Sequence, residues 1–301
     1  MTVDSTSSNP SSSSSSSTTT TTTTTMKPSS DIRLYKNRAS YSIKSILDIF
    51  YENPVAHVAF IHPGDIDNEG GGRKETIMNV PLITVIIPED EYGDEDDLQN
   101  YSVYLHTHKH SGLVEAVTNG KHGITATTTK IDGLIFSPTA HDHSLNYRSG
   151  TIHLDQGMIL NDEIDGKDHE EKKKVLSFVT NTVTGYNRIA SVNEPEDNSI
   201  KRTTIIKFKI LNFSCKQRFG GFNGSKEPEF NIPKGKENDN FTGVIPCWTQ
   251  FGKPLGYGKD LKEINELIEN RSKKNQQFAE NVAWANENVK LDRLGEKRLL
   301  Q

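Results

Sequence analysis

Apolar positions along the chain follow two rhythms. Ile43, Ile46, Leu47 and Phe50 recur at helical spacing behind Ser40 and Ser42, which predicts a helix to about Asn53, stopped by Pro54. Val55–Ile61 then reads as a buried strand. Thr76–Ile87 reads as a second, with Pro81 marking an edge or a bulge, and Tyr101–His106 as a third. Ser111–Asn119 predicts a short helix closed by Gly120. Gly123–Lys130 and Leu134–Ser137 read as strands joined in a hairpin at Asp132-Gly133. Tyr147–Leu154 and Thr203–Phe213 are further strands, and Val244–Gln250 is a short one. His169–Thr184 is an amphipathic helix, and Lys259–Val289 a charged one with Leu261, Ile264, Leu267 and Ile268 on its inner stripe. Short antiparallel strands with a few flanking helices predict a mainly β fold, a β-barrel of α+β type and not a βαβ sheet.

The rest of the chain is polar. Residues 11–25 are all Ser or Thr, so 1–30 reads as a disordered tail that cannot bury enough apolar surface to order itself. The barrel is expected over 31–258 and a charged helical extension over 259–301. Asp65–Lys74 and Lys226–Asn240 read as loop insertions. The glycines at 70–72 lack the Lys-Ser/Thr and following helix of a phosphate loop. The acidic stretch Glu89–Asp97 reads as a solvated connection.

Composition then excludes several classes. The 35 basic and 40 acidic residues leave a net charge of −5, so bulk charge gives no reason to expect nucleic acid. No apolar run reaches the length of a membrane span, and the start has neither a basic nor an apolar leader region, so the expected compartment is the cytoplasm. Two cysteines, Cys215 and Cys247, rule out a disulfide scaffold.

Two constellations carry chemistry. His106, His108 and His110 alternate, and His141 and His143 repeat the spacing. That admits a metal site with Glu115 or Asp142 as an oxygen ligand, or simply hydrogen-bonded surface imidazoles. Lys109, Ser111 and the amides from Gly112 open a helix, and Arg148 lies on a strand. Together they could hold an anion, although a Ser before a helix also serves as a cap.

The stretch ITATTTKIDGLIFSPTAHDHSLNYRSGTIHL (124–154) resembles the pyridoxamine 5′-phosphate oxidase-like, FMN-binding split-barrel family, in its flavin-nucleotide-binding branch, which also resembles the nitroimidazole-resistance reductases. The likeness rests on Asp132-Gly133-Leu134 and on His143-Ser144-Leu145-Asn146-Tyr147-Arg148-Ser149. VYLHTHKHSGLVEAV upstream and FTGVIPCWTQFGKPLGYG downstream are similar to flanking family elements. The resemblance implies a six-stranded antiparallel FMN-binding split β-barrel that forms a homodimer, with FMN between subunits. It places the phosphate on Lys109, Ser111, Gly112 and Arg148 and the ring edge at the main chain of Leu82, Ile83 and Thr84. His106, Thr127, Asn146, Tyr147 and Ser149 complete the cofactor set. Where the family carries Arg or Lys this chain has Gly112, and Lys109 takes that part in the expectation.

The implied function is a flavoprotein, an FMN-dependent oxidoreductase acting on a small molecule, with His143 as proton donor or substrate contact and no metal. The alternatives are a non-catalytic flavin- or haem-binding module, or a metal-dependent barrel enzyme built on His106, His108, His141 and His143.

Overall fold

The computed structural model of the chain describes residues 30–64, 75–119, 123–155, 157–162, 166–222, 240–283 and 285. The Ser/Thr tract, the 65–74 insertion, Gly120 and nearly all of the 226–240 insertion lie outside the described residues.

In chain order the elements are β1 (Ala39–Ser40), α1 (Ile43–Glu52), β2 (Val55–His62), β3 (Thr76–Pro88), β4 (Tyr101–Thr107), α2 (Gly112–Asn119), β5 (Ile124–Phe136), β6 (Ser144–Leu154), β7 (Met158–Ile159), α3 (Lys167–Thr184), α4 (Ile189–Val192), α5 (Asp197–Arg202), β8 (Thr204–Arg218), β9 (Gly243–Pro246) and α6 (Leu261–Ala283). All strand pairs are antiparallel. Six strands run in the order β8, β4, β3, β2, β5, β6, and β6 pairs back onto β8 to close a ring. The expected mainly β architecture with flanking helices is therefore present.

Long strands close this ring by changing partners along their length. β3 pairs β2 from Thr76 to Ile83 and β4 from Thr84 to Pro88. Pro81 lies in the first half, before β4 begins, where one edge of β3 is free and a missing N–H is tolerated. β5 pairs β2 at Thr125–Thr127 and β9 at Gly133–Phe136. β8 pairs β4 with its first residues and β6 with the rest.

The ring is filled by one large apolar cluster that includes Phe50, Val58, Leu105, Leu113, Ile152 and Phe208. Its plug is α1, whose buried face is Ile43, Ile46, Ile49 and Phe50. That helix lies on Gly150 of β6, where a Cβ would sit 2.5 Å from Ile46 Cδ1, so glycine is what permits the close approach. A second cluster lies outside the ring. There α3 brings Val175, Leu176, Phe178 and Val179 over Ile83, Val85 and Ile87 of β3, with Tyr104 and Ile205 beside them. The outer surface of β3, β4 and β8 is thus covered.

One sequence expectation fails. Asp132-Gly133 does not turn a hairpin, because β5 runs unbroken from Ile124 to Phe136 with a register shift between Ile131 and Gly133. Asp132 is the extra residue of this bulge, and its carboxylate points into a buried charge cluster. Arg148 on β6 donates from Nε and Nη2 to the two Asp132 oxygens, both at 2.8 Å, and Nη2 lies 2.9 Å from Glu52 Oε2. Lys130 Nζ meets the same Glu52 oxygen at 2.8 Å. The guanidinium carbon stands 3.9 Å from the ring centre of Phe278 on α6, which seats that helix on the ring. Ala279, Val282 and Ala283 of α6 are buried in the same contact. The helix is described to Ala283, and 286–289 of the range expected for it lie outside the described residues.

On the covered side, Glu89 accepts hydrogen bonds from Ser102, Lys207 and Lys209. Burial acts to raise its pKa, but these donors outweigh it and bring the carboxyl from 4.5 down to about 2. A lowered carboxylate stabilises the fold fully above its unfolded pKa and loses that contribution as pH falls through the folded one. Between pH 4.5 and about 2, wild type should therefore lose more stability than Glu89→Gln, as read by urea unfolding at each pH. Equal acid slopes would contradict the assignment. Arg148→Ala leaves the buried Asp132 without its guanidinium and Glu52 with Lys130 alone, and should cost about 3–5 kcal/mol by the same method. A loss under about 1 kcal/mol would show that the cluster does not hold the ring.

Candidate functional site

The apolar cluster under α3 includes no residue of β2 or β5. Strand alternation decides what the outer face of these two strands presents. Ala56, Val58 and Phe60 of β2 point into the core, leaving Val55, His57 and Ala59 outside. Ala126 and Thr128 of β5 point inward, leaving Thr125, Thr127 and Thr129 outside. Cross-strand pairing places His57 beside Thr127 and Ala59 beside Thr125. These residues, with Asn53 and Asn79, line an open groove of about 480 Å³.

The groove is chemically simple. Three threonines, two asparagines and one histidine supply hydrogen-bonding groups, and Val55 and Ala59 supply apolar wall. Thr127 Oγ1 and Thr151 Oγ1 are 3.0 Å apart, so one hydroxyl hydrogen of the pair stays available to a ligand. Asn53 Nδ2 is committed to Thr128 Oγ1 and the Thr129 carbonyl, which ties the end of α1 to β5. His57 is the single ionisable residue in the lining.

The structure sorts the expected site residues by face. Thr127 lines the groove, and Ser149 and Tyr147 continue its face along β6 by pairing with Thr129 and Ile131. Ser149 Oγ donates to the Lys216 carbonyl at 3.2 Å. Asn146, expected in the cofactor groove, and Arg148, expected on the phosphate, point the opposite way and are buried, as the two-residue period of the strand requires. Arg148 is 1% exposed and holds Asp132 and Glu52.

Leu82 and Thr84 also turn their side chains inward, toward the core, while Ile83 lies under α3. Their main chain, however, borders the groove's end, with Ile83 paired to Val55 and the Thr84 N–H donating to the Pro54 carbonyl at 2.8 Å. His106 is half-buried opposite Ile205, and its buried Nδ1 has no hydrogen-bond partner among the described residues. Burial pushes its pKa below the usual imidazole value.

Lys109 is exposed in the turn between β4 and α2, flanked by His108 and His110. Ser111 Oγ accepts from the Val114 N–H at 3.4 Å, a weak cap on α2. A Cβ on Gly112 would lie 2.8 Å from His62 Cδ2, so the start of α2 sits against the end of β2. That end also carries a 3.1 Å contact between His62 Nε2 and Glu115 Oε2.

His143 is exposed. Its Nδ1 is 3.0 Å from the Thr139 carbonyl and its ring stands edge-on to Phe136. It precedes Ser144, which pairs with Ile135, eight residues along β5 from Thr127 and so roughly 25 Å away. The same chain therefore does not bring His143 to the groove. The histidine metal alternative is not supported either: among the described residues no group of three or more His, Cys, Asp or Glu is placed to hold a metal ion. No helix among the described residues is long and apolar enough to cross a membrane.

Asn53, His57 and Asn79 were absent from the sequence-based set. The signal was His57 itself, a polar residue in the middle of an apolar strand, which marks one face of β2 as open.

No protein-family model matches the chain, and no curated protein matches it in sequence. Solved structures do match it in fold. The FAD and haem binding protein from Mycobacterium smegmatis is 19% identical, with a TM-score of 0.50 over 74% of this chain and 90% of that one. The flavocytochrome Anf3 from Azotobacter vinelandii is 20% identical, with a TM-score of 0.52 over 79% of this chain and 96% of that one. These are split-barrel folds, and the ring described above has that fold.

Proposed function

We propose that the chain is a split-barrel flavoprotein that holds FMN in the groove of β2 and β5 and works as an oxidoreductase on a small molecule. The observation that carries this reading is the groove itself. It has the size of a cofactor site, apolar wall at Val55 and Ala59, and a small set of neutral donors on one fixed sheet. The donor set fits the hydrogen-bonding edge of an isoalloxazine. The similar solved structures, a FAD and haem binding protein and a flavocytochrome, support the choice of ligand class. A bound flavin supplies the electron-transfer chemistry. The chain's part is to orient the ring on a rigid surface and to limit water around it. Lys109, Ser111 and the first amides of α2 are the proposed phosphate contacts, next to the end of β2.

The same outer face supports the homodimer. Leu134 of β5 pairs with Leu145 of β6 and with Ile245 of β9, and the three are 38%, 39% and 44% exposed. Ile131 and Val55, at 47% and 46%, extend the apolar surface toward the groove. Contiguous exposed apolar surface of this kind is characteristic of contact faces.

Haem is a second reading, favoured by the unpartnered Nδ1 of His106 and by the pairing of flavin with haem in the similar structures.

Absorbance of the purified protein separates these readings. Flavin bands are expected, bleached by a reduced nicotinamide if the protein is an enzyme, whereas a Soret band alone would favour haem. Lys109→Ala should weaken FMN roughly tenfold or more while sparing riboflavin, since a charge-assisted phosphate contact is worth about 1.5–3 kcal/mol. Equal loss for both flavins would move the phosphate elsewhere. Leu134→Arg should convert a dimer to a monomer in light scattering; an unchanged mass would place the contact on another face.

A further inference from the structure

The groove offers an unusual choice of donor for a flavin ring. Asn53 Nδ2 is spent on β5, and the Thr127 hydroxyl is shared with Thr151. His57 stands between them in a fixed place, with Thr127 beside it on β5 and Pro81 beside it on β3. Pro81 has no N–H and no polar side chain, so it gives the imidazole a flat apolar neighbour and no competing partner. Val55 and Ala59, two residues before and after on the same face, are the apolar surfaces on which a planar ring can lie. An imidazole can turn an N–H toward that ring and holds it with only two side-chain torsions.

We propose that His57 is the specificity-determining donor of the groove. It gives a hydrogen bond to the acceptor-rich pyrimidine edge of the isoalloxazine and so selects for the ring independently of the phosphate. This rests on the flavin reading given above and adds the residue that recognises the ring. It also separates two recognition tasks along β2. The ring is read at His57, and the phosphate at the turn beyond His62, where Lys109 and α2 lie.

The test uses riboflavin, which has the ring and no phosphate, with FMN in parallel. Binding to dialysed full-length protein is read by quenching of flavin fluorescence and by the position of the visible flavin band. His57 is exposed, so substitution leaves the core intact. His57→Leu should weaken riboflavin and FMN by the same factor, roughly tenfold for a lost hydrogen bond in a partly closed site. His57→Gln keeps an N–H donor and should restore most of the affinity and the band position. If His57→Leu binds riboflavin like wild type, the proposal is overturned. It is also overturned if His57→Leu and His57→Gln weaken binding equally, because the effect would then be shape and not donation. A Soret band that disappears in His57→Leu would assign the imidazole to iron instead. Failure of wild type to bind either flavin would bring down the flavin reading itself, an outcome distinct from the others.

Discussion

One buried guanidinium shared by two carboxylates fixes the geometry from which the rest follows. Arg148 holds both oxygens of Asp132 and one of Glu52, and it is itself sealed by the ring of Phe278. Each partner comes from a different element, so the cluster ties α1, β5, β6 and α6 at one point. Asp132 can reach Arg148 because it is the extra residue of a β-bulge. Without that bulge, strand alternation would place Ile131 and Gly133 on one face and Asp132 and Leu134 on the other. The bulge resets the alternation. Ile131 and Leu134 both stay outside, and Gly133 turns in against Val244. β5 pairs β2 only as far as Thr127, and directly after the bulge it takes up β9. A buried charge pair often adds little net stability, but here its position sets which side chains face out.

Facing out matters because the two outer sides of the ring are treated differently. Over β3, β4 and β8 the helix α3 brings its own apolar stripe, and Glu171 on that helix accepts from Tyr104 and Lys207 at 2.7 Å each. That side is closed by packing and charge together. Over β2, β5 and β6 the outward side chains are mostly threonine, serine and histidine, with an apolar end at Leu134, Leu145 and Ile245. Short hydroxyl side chains leave room above a sheet that long or aromatic ones would fill. The groove is therefore a product of residue size as much as of backbone shape.

Much of this was legible in the sequence. The strand cores of β2, β3, β4 and β8 were marked by apolar runs, and α1 and α3 by their spacing. The match around Asp132-Gly133-Leu134 and Asn146-Tyr147-Arg148-Ser149 pointed to the right fold. The hairpin error came from a local rule overruled by a distant partner. Asp-Gly favours a tight turn on its own, but Arg148, sixteen residues away, needs a buried carboxylate more than the chain needs a reversal there. The short elements β1, β7, α4 and α5 carry too few residues to show a period and exist only through their neighbours.

The site was harder to read for a reason that strand geometry makes plain. Asn146, Tyr147 and Ser149 were assigned to the cofactor groove and Arg148 to the phosphate, yet a strand shows only every second side chain to a given face. Tyr147 and Ser149 are on the groove's side, whereas Asn146 and Arg148 serve the interior. A motif of adjacent residues in a strand therefore records two jobs at once. Here the outward half shapes a binding surface, and the inward half holds the bulge and α6 that keep the surface in register. A chain could exchange the outward residues for a new ligand and keep the inward ones unchanged. Arg148 and Asp132 thus mark the fold, and His57, Thr127 and Asn79 mark the groove where the chemistry is proposed.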